Sequence, residues 1–222
     1  MKRQGAVGTT DSAAGHLLGF FLCALALAIA PGPDILFVMA QSLAHGASTG
    51  VYVTLGLCSG LCVHVTLAAF GAAAFLKRYP KAFSAVTWFG AAYLVYLAFL
   101  TWRGAGGGAE LAEAERIAPV RLYLRGIVMN LLNPKVMLFF LAFVPRFVRP
   151  ERGRVTRQFL VLGALFIAAT LLMFGAVALL GGGISRLLER WPGSYTVLQY
   201  VSAVVMLGIA GWIAWMNCRK RG

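Results

Sequence analysis

The sequence predicts an all-α, polytopic membrane protein with six transmembrane helices, arranged as two inverted three-helix repeats in which the first and fourth helices are broken. Three observations carry this expectation. The 222 residues are 60% hydrophobic and 12% charged, with a mean hydropathy of +0.79, more apolar than a soluble domain of this length. Six segments approach the roughly 20 apolar residues needed to cross a bilayer. Two of these are interrupted midway by proline, at Pro31-Gly32-Pro33 and at Asn133-Pro134.

The first span covers about residues 17–43. Lys2 and Arg3, the apolar run from Leu17 and then Ala28-Ile29-Ala30 imitate a secretory leader. Pro31 would follow the scissile bond, however, and apolar sequence resumes at once with Ile35-Leu36-Phe37-Val38-Met39, so the segment reads as a retained span. The second span, about residues 51–76, follows a short turn containing Gly, Ser and His; the third is about 82–102. Residues 103–121 form the one sizeable polar linker, with Gly104, Gly106, Gly107 and Gly108 before Glu110, Glu113 and Glu115. The fourth span is about 123–145, the fifth 159–180 and the sixth 197–216.

The expected organisation is one membrane domain over 1–222, made of a polar tail (1–16), a first half (17–102), the linker and a second half (122–218). Three spans per half invert the second half relative to the first and set the two proline breaks at similar depths. Fainter echoes agree: Gly56 and Gly71 in the second span resemble Gly163 and Gly175 in the fifth, and Trp102 ending the third resembles Trp215 near the end of the sixth.

A net charge of +13 would suggest nucleic acid in a soluble protein. Here the basic residues gather at the ends of apolar segments and no basic stripe with interleaved aromatics accompanies them, so nucleic acid is not an expected partner. The charge reads as topogenic and as facing anionic lipid. Counting the loops, the side that holds the N-terminus carries thirteen Lys and Arg, including Arg146, Arg149, Arg152, Arg154 and Arg157, against six on the other side. This places both termini of the multi-pass protein in the cytoplasm.

Asp34 and Lys135 are the charged residues lying deep within the expected spans. A charge there costs at least about 2.5–3.5 kcal/mol on insertion scales, so it faces a cavity or a partner. Each follows a proline break, and broken helices at membrane depth persist where they line protein or a water-filled cavity. Half-helix N-termini present free N–H groups that suit a carboxylate, while released carbonyls suit an ammonium. Pro31, Gly32, Pro33, Asp34, Asn133, Pro134 and Lys135 are therefore the candidate substrate-binding residues, and an amino-acid zwitterion would offer both ends. The alternative is a salt bridge that merely locks the halves together, or a Lys135 that snorkels.

His64, central in the second span, is a second coupling candidate beside Asp34, because its ordinary pKa near 6.5 suits proton relay; a helix-to-helix hydrogen bond is the alternative. Gln41 and Thr170 are lesser cases of the same kind. Gly56 and Gly60 form a Gly-xxx-Gly spacing that fits close helix approach, within one subunit by preference, or at a homodimer face. Tyr93, Tyr96, Trp88 and Trp102 read as packing or interfacial anchors.

The cysteines Cys23, Cys58, Cys62 and Cys218 form no disulfide framework and read as packing residues. Cys58 and Cys62 share a helix face near His64, which fits a soft metal, but no second ligand cluster supports it, so neither metal nor cofactor is expected. An enzyme is not expected either. Leu57-Cys58-Ser59-Gly60 distantly resembles an intramembrane serine-protease motif, yet no histidine follows on a later helix, and zinc-protease, nucleophile-elbow and Walker motifs are missing from the sequence.

On these residues the chain resembles the LysE/RhtB family of bacterial amino-acid exporters. The resemblance rests on Ile29-Ala30-Pro31-Gly32-Pro33-Asp34, the series Gly46, Gly50, Gly56, Gly60, the run from Gly90 to Leu97, and Gly126 with Asn130-Leu131-Leu132-Asn133-Pro134-Lys135 leading to Phe139-Phe140 and Pro145. It implies a six-helix secondary exporter of amino acids or their derivatives, coupled to the proton gradient, working by alternating access. Two departures stand out: many relatives have Asn where this chain has Asp34, and many carry an acidic residue in the fifth span, where this chain has Thr170. A small-cation or heavy-metal exporter on the same scaffold, with Asp34, His64 and the cysteines as ligands, and a non-transporting membrane scaffold are the alternatives.

If the charge bias sets orientation, reporter fusions at Gly222 and near Arg152 will read cytoplasmic and one near Gly107 periplasmic. The reverse pattern at all three sites would invert the protein in the membrane. Opposite readings at Arg152 and Gly222 would change the number of spans.

Overall fold

The computed structural model describes residues 8–30, 32–72, 80–105, 115–190 and 193–219. Among them the chain forms eight α-helices and no strand: α1 (Gly8–Ile29), α2 (Pro33–His45), α3 (Ala47–Leu67), α4 (Pro80–Arg103), α5 (Pro119–Leu131), α6 (Pro134–Leu138), α7 (Val155–Arg190) and α8 (Ser194–Arg219). This is an all-α, polytopic membrane architecture, as the composition requires. Pro31, and residues 106–114 of the linker, lie outside the described residues.

Three helices, α3, α7 and α8, are each long and apolar enough to cross a membrane. Two bent pairs pass the same test of length and hydropathy together, α1 with α2 and α5 with the segment beginning at α6, each turning by more than 40° at its break and the second by 48°. These five match expected spans one, two, four, five and six. The third expected span, 82–102, falls within α4, whose 24 residues would extend about 36 Å, enough to pass a hydrocarbon core of about 30 Å. The helices overrun the apolar segments: α1 starts at Gly8 and α7 continues to Arg190. A helix ends where its backbone pairing ends, and hydrophobicity marks only the part that sits in lipid.

The second broken span does not end as a plain helix. α6 passes into a π-helical turn at Phe139–Phe143 and then a 3-10 turn at Val144–Phe147, where Pro145 cannot donate to the ladder. The wider turn aligns a run of phenylalanines. Phe139 and Phe143 stack with ring centroids 4.6 Å apart, Phe139 meets Phe166 of α7 at 4.9 Å, and Phe147 meets Trp212 of α8 at 5.2 Å. With Phe20 of α1, fully buried, they fill one half of the bundle.

α3 is central, packed along α5 on one side and α7 on the other, while α4 packs along α8 and α7 also meets α1 and α2. Lipid tails are as apolar as leucine, so helices associate in a bilayer through close packing rather than through the hydrophobic effect. The α3–α5 contact shows this. Gly56 faces the Tyr123 carbonyl and Gly126, and Gly60 faces Asn130 so closely that an added methyl would lie 2.8 Å from Asn130 Cβ. Ser59 and Tyr123 hydroxyls meet alongside at 2.8 Å. The Gly-xxx-Gly face is thus used within the subunit. The sharp turn from α2 into α3 needs a glycine too, since Gly46 has φ 93, in a region that side chains disfavour.

Gly60→Leu must push α3 from α5, at about 1–3 kcal/mol for overpacking, and is expected to lower the yield of monodisperse protein in detergent size-exclusion chromatography. Gly208→Leu, where nothing lies within 4 Å of the added carbon, serves as the control and should leave the yield unchanged.

Candidate functional site: two crossed helix breaks

Pro33 and Pro134 each occupy the first helical position of a new segment, α2 and α6. Proline suits that place because its missing N–H would have no intrahelical partner anyway. Asp34 and Lys135 follow at equivalent positions in the first turn. Gly32 precedes α2 in extended conformation, and its carbonyl accepts from Leu36 N at 3.2 Å. Asn133 precedes α6 and caps it: its Oδ1 accepts from Lys135 N at 3.0 Å, and its carbonyl accepts from Met137 N at 3.1 Å.

The two breaks reach across to each other. Asn133 Nδ2 donates to Asp34 Oδ2 at 2.6 Å. Lys135 Nζ donates to the Leu27 and Ala30 carbonyls at 3.3 and 3.2 Å, in the last turn and exit of α1. A cation there meets the negative end of the α1 dipole, and Asp34 stands at the positive end of its own α2. In place of the direct Asp34–Lys135 salt bridge considered from sequence, Lys135 binds carbonyls released at the first break, and Asp34 binds the side-chain amide that caps the second. Asp34 Oδ1 is buried and has no protein partner.

Asp34 and Lys135 border two cavities. The larger, about 450 Å³, is walled by Gly32, Pro33, Asn133 and Pro134 with Tyr93, Leu97 and Thr101 of α4, Val128 and Met129 of α5, Leu132 just after it, and Met206 of α8. Its volume lies in the range of small-molecule sites, and its wall is predominantly apolar, with charged and amide groups at the breaks and the hydroxyls of Tyr93 and Thr101 on α4. The smaller, about 20 Å³, is bordered by Asn130, Phe166 and Thr170 as well as by the two charged residues, a space on the scale of one water molecule. Asn130 Oδ1 is, like Asp34 Oδ1, buried without a protein partner, whereas the Thr170 hydroxyl donates within α7 to the Phe166 carbonyl at 2.9 Å.

His64 stands behind this site. Its Nε2 is 3.2 Å from the Asn130 carbonyl, and its ring stacks on Phe140 at 6.2 Å. A carbonyl only accepts, so Nε2 carries the proton and His64 ties α3 to the end of α5. Gln41 donates to the Glu115 carbonyl at 3.2 Å. Cys58 is buried and Cys62 exposed, and no three metal-binding side chains gather among the described residues.

Three site residues were not singled out from sequence. Asn130 was noticed only within the family resemblance, although a polar residue three positions before a break was itself a signal. Tyr93 was read as packing or anchoring but borders the large cavity, as does Thr101. Trp102 does pack, against Tyr200 at 4.6 Å. Nothing in the local pattern around Tyr93 or Thr101 distinguishes a cavity-facing from a lipid-facing position.

The profile of the LysE type translocator family matches residues 25–216. A homoserine/homoserine lactone efflux protein of Salmonella typhimurium is 32% identical over 75% of this chain and 80% of its own. A leucine efflux protein of Klebsiella pneumoniae is 26% identical over 90% of this chain and 94% of its own. An uncharacterized membrane protein of Pseudomonas aeruginosa is 36% identical over 61% and 65%. No solved structure gives a significant match. Two broken spans meeting at Asp34, Asn133 and Lys135, in a chain matched over nearly its whole length, place this protein in the LysE type translocator family.

Proposed function

We propose that this protein exports amino acids or amino-acid derivatives across the bacterial cytoplasmic membrane by alternating access between two inverted three-helix halves, driven by the proton gradient. The observation that carries this reading is the position of Asp34 and Lys135 at the floor of the large cavity, each at the first turn of a half-helix and each also bordering the small cavity beyond. A zwitterion entering there meets Asp34 Oδ1 as acceptor for its ammonium. Lys135, on leaving the α1 carbonyls, and the start of α2 serve its carboxylate. Leu97, Met129 and Met206 suit a short apolar side chain, and Thr101 and Tyr93 suit a hydroxyl or carbonyl on it. The relatives named for homoserine, its lactone and leucine fall within that range.

Packing supports the inverted halves. The contact of α3 with α5 corresponds to that of α7 with α1, while α3–α7 and α4–α8 are each their own counterparts under a two-fold axis in the membrane plane. The large cavity reaches Thr101 near the end of α4, the side that the charge bias assigns to the periplasm. The opposite half is filled by the phenylalanine cluster, an asymmetry that fits access from the Thr101 side in this conformation. The Asp34–Asn133 and Lys135–carbonyl bonds are those that must exchange for substrate contacts during the cycle.

In a bacterium lacking its own exporters, expression should raise resistance to a subset of a panel of amino acids and toxic analogues. Asp34→Asn should lower export roughly ten- to hundred-fold, the worth of a hydrogen bond to a charged group, at unchanged membrane abundance; unchanged export and pH dependence would reduce Asp34 to a structural residue. Because the two charges bind each other's helix ends and not one another, the double exchange Asp34→Lys with Lys135→Asp should fail to restore export in stably folded protein. Rescue would show that a mutual lock is their whole role.

A further inference from the structure

Far from the helix breaks, a cavity of about 310 Å³ opens where the loop 148–154 and the first turns of α7 meet His16 of α1. Arg149, Arg152, Arg154 and Arg157 surround it. Glu151, the one carboxylate of this stretch of sequence, does not border it. Gln158 and Gly153 also line it, and its apolar side is formed by Leu17, Phe147, Val161 and Leu162; of these Leu17 and Val161 continue onto the outer surface with 38% and 41% exposure.

A loop whose positive charge served orientation alone would need no particular shape. This one is held. Gln158 Oε1 accepts from Arg149 N at 2.8 Å, while its Nε2 donates to the Arg149 and Gly153 carbonyls at 3.0 and 2.7 Å, gripping both ends of the loop with one side chain. Arg154 has φ 47 and is the one non-glycine residue with positive φ among those described. That conformation carries a steric cost and persists where surrounding contacts impose it. The held backbone therefore sets the four arginines around one concavity, at the start of a long helix whose dipole also favours an anion.

We propose that this cavity is a binding site for the phosphate headgroup of an anionic membrane lipid. Guanidinium groups pair with phosphate oxygens in bidentate fashion, and the apolar wall running out to the surface matches the glycerol and upper acyl carbons of a lipid. A free phosphate would use the arginines and leave that wall without a role. The site ties the α1 end to the loop joining the fourth and fifth spans, so occupancy would brace the half of the bundle closed by the phenylalanine cluster.

The test uses the full chain in neutral detergent, titrated separately with phosphatidylglycerol, phosphatidylcholine and inorganic phosphate, with retained lipid read by native mass spectrometry and stability by thermal melting. Phosphatidylglycerol should bind at least about tenfold more tightly than phosphatidylcholine and raise the melting temperature, and each arginine removed should weaken it roughly five-fold. Arg154→Gly is the safest such variant for folding, because glycine accepts the local backbone. Gln158→Ala keeps every charge and should still weaken phosphatidylglycerol binding by loosening the loop. Equal binding of the two lipids, or a preference that survives Arg149→Gln with Arg154→Gly, would overturn the proposal. Stabilisation by inorganic phosphate equal to that by the lipid would overturn the lipid assignment in favour of a free anion. A lipid preference indifferent to Gln158→Ala would reduce the loop to unstructured charge.

Discussion

Backbone groups released inside a bilayer have no water to turn to, and each left unpaired costs several kcal/mol. Two proline breaks in one small membrane protein create this problem twice, and the structure meets it by making each break the partner of the other. Lys135 from the second break takes the Leu27 and Ala30 carbonyls at the first. Asp34 from the first holds Asn133, whose other side-chain atom caps α6. Neither break would be stable in isolation. The architecture around them serves to bring two such sites, about 100 residues apart in sequence, to one place.

Close helix packing sets that register. Gly56, Gly60 and Gly126 let α3 and α5 approach to backbone contact, and His64 secures the Asn130 carbonyl at the end of α5. The end of α5 then fixes where Asn133 and Lys135 emerge relative to α1. A packing requirement with no chemistry of its own thus controls the geometry of the polar site. The bonds crossing between the breaks join a carboxyl group to an amide and an amine to two backbone carbonyls.

Charge has two separate uses. At the helix breaks, the pair Asp34 and Lys135 is tolerated inside the membrane because each meets a helix end or a capping amide. Elsewhere, four arginines border one cavity whose lining among the described residues includes no carboxylate. There a loop gripped by Gln158 and bent at Arg154 holds a shaped, positively charged cavity. The phenylalanine cluster separates the two, filling one half of the bundle and leaving the large cavity in the other.

Much of the fold was legible in the chain itself. Hydropathy and segment length announced an all-α membrane protein, and proline within apolar runs marked both breaks, because a residue that lacks an N–H and fixes φ acts on its own backbone whatever surrounds it. Asp34, Asn133 and Lys135 stood out for a similar reason: a polar group at membrane depth is costly enough to demand an explanation. The partners of those groups were not legible. That Lys135 binds the carbonyls of α1 and not Asp34, that Tyr93 and Thr101 border the cavity while Trp102 packs on Tyr200, and that the arginine loop is concave all depend on how helices distant in sequence are placed. Local rules act within a turn of helix. Which acceptor lies within 3.3 Å of an amine 105 residues away is decided by packing, and only the assembled bundle contains that information.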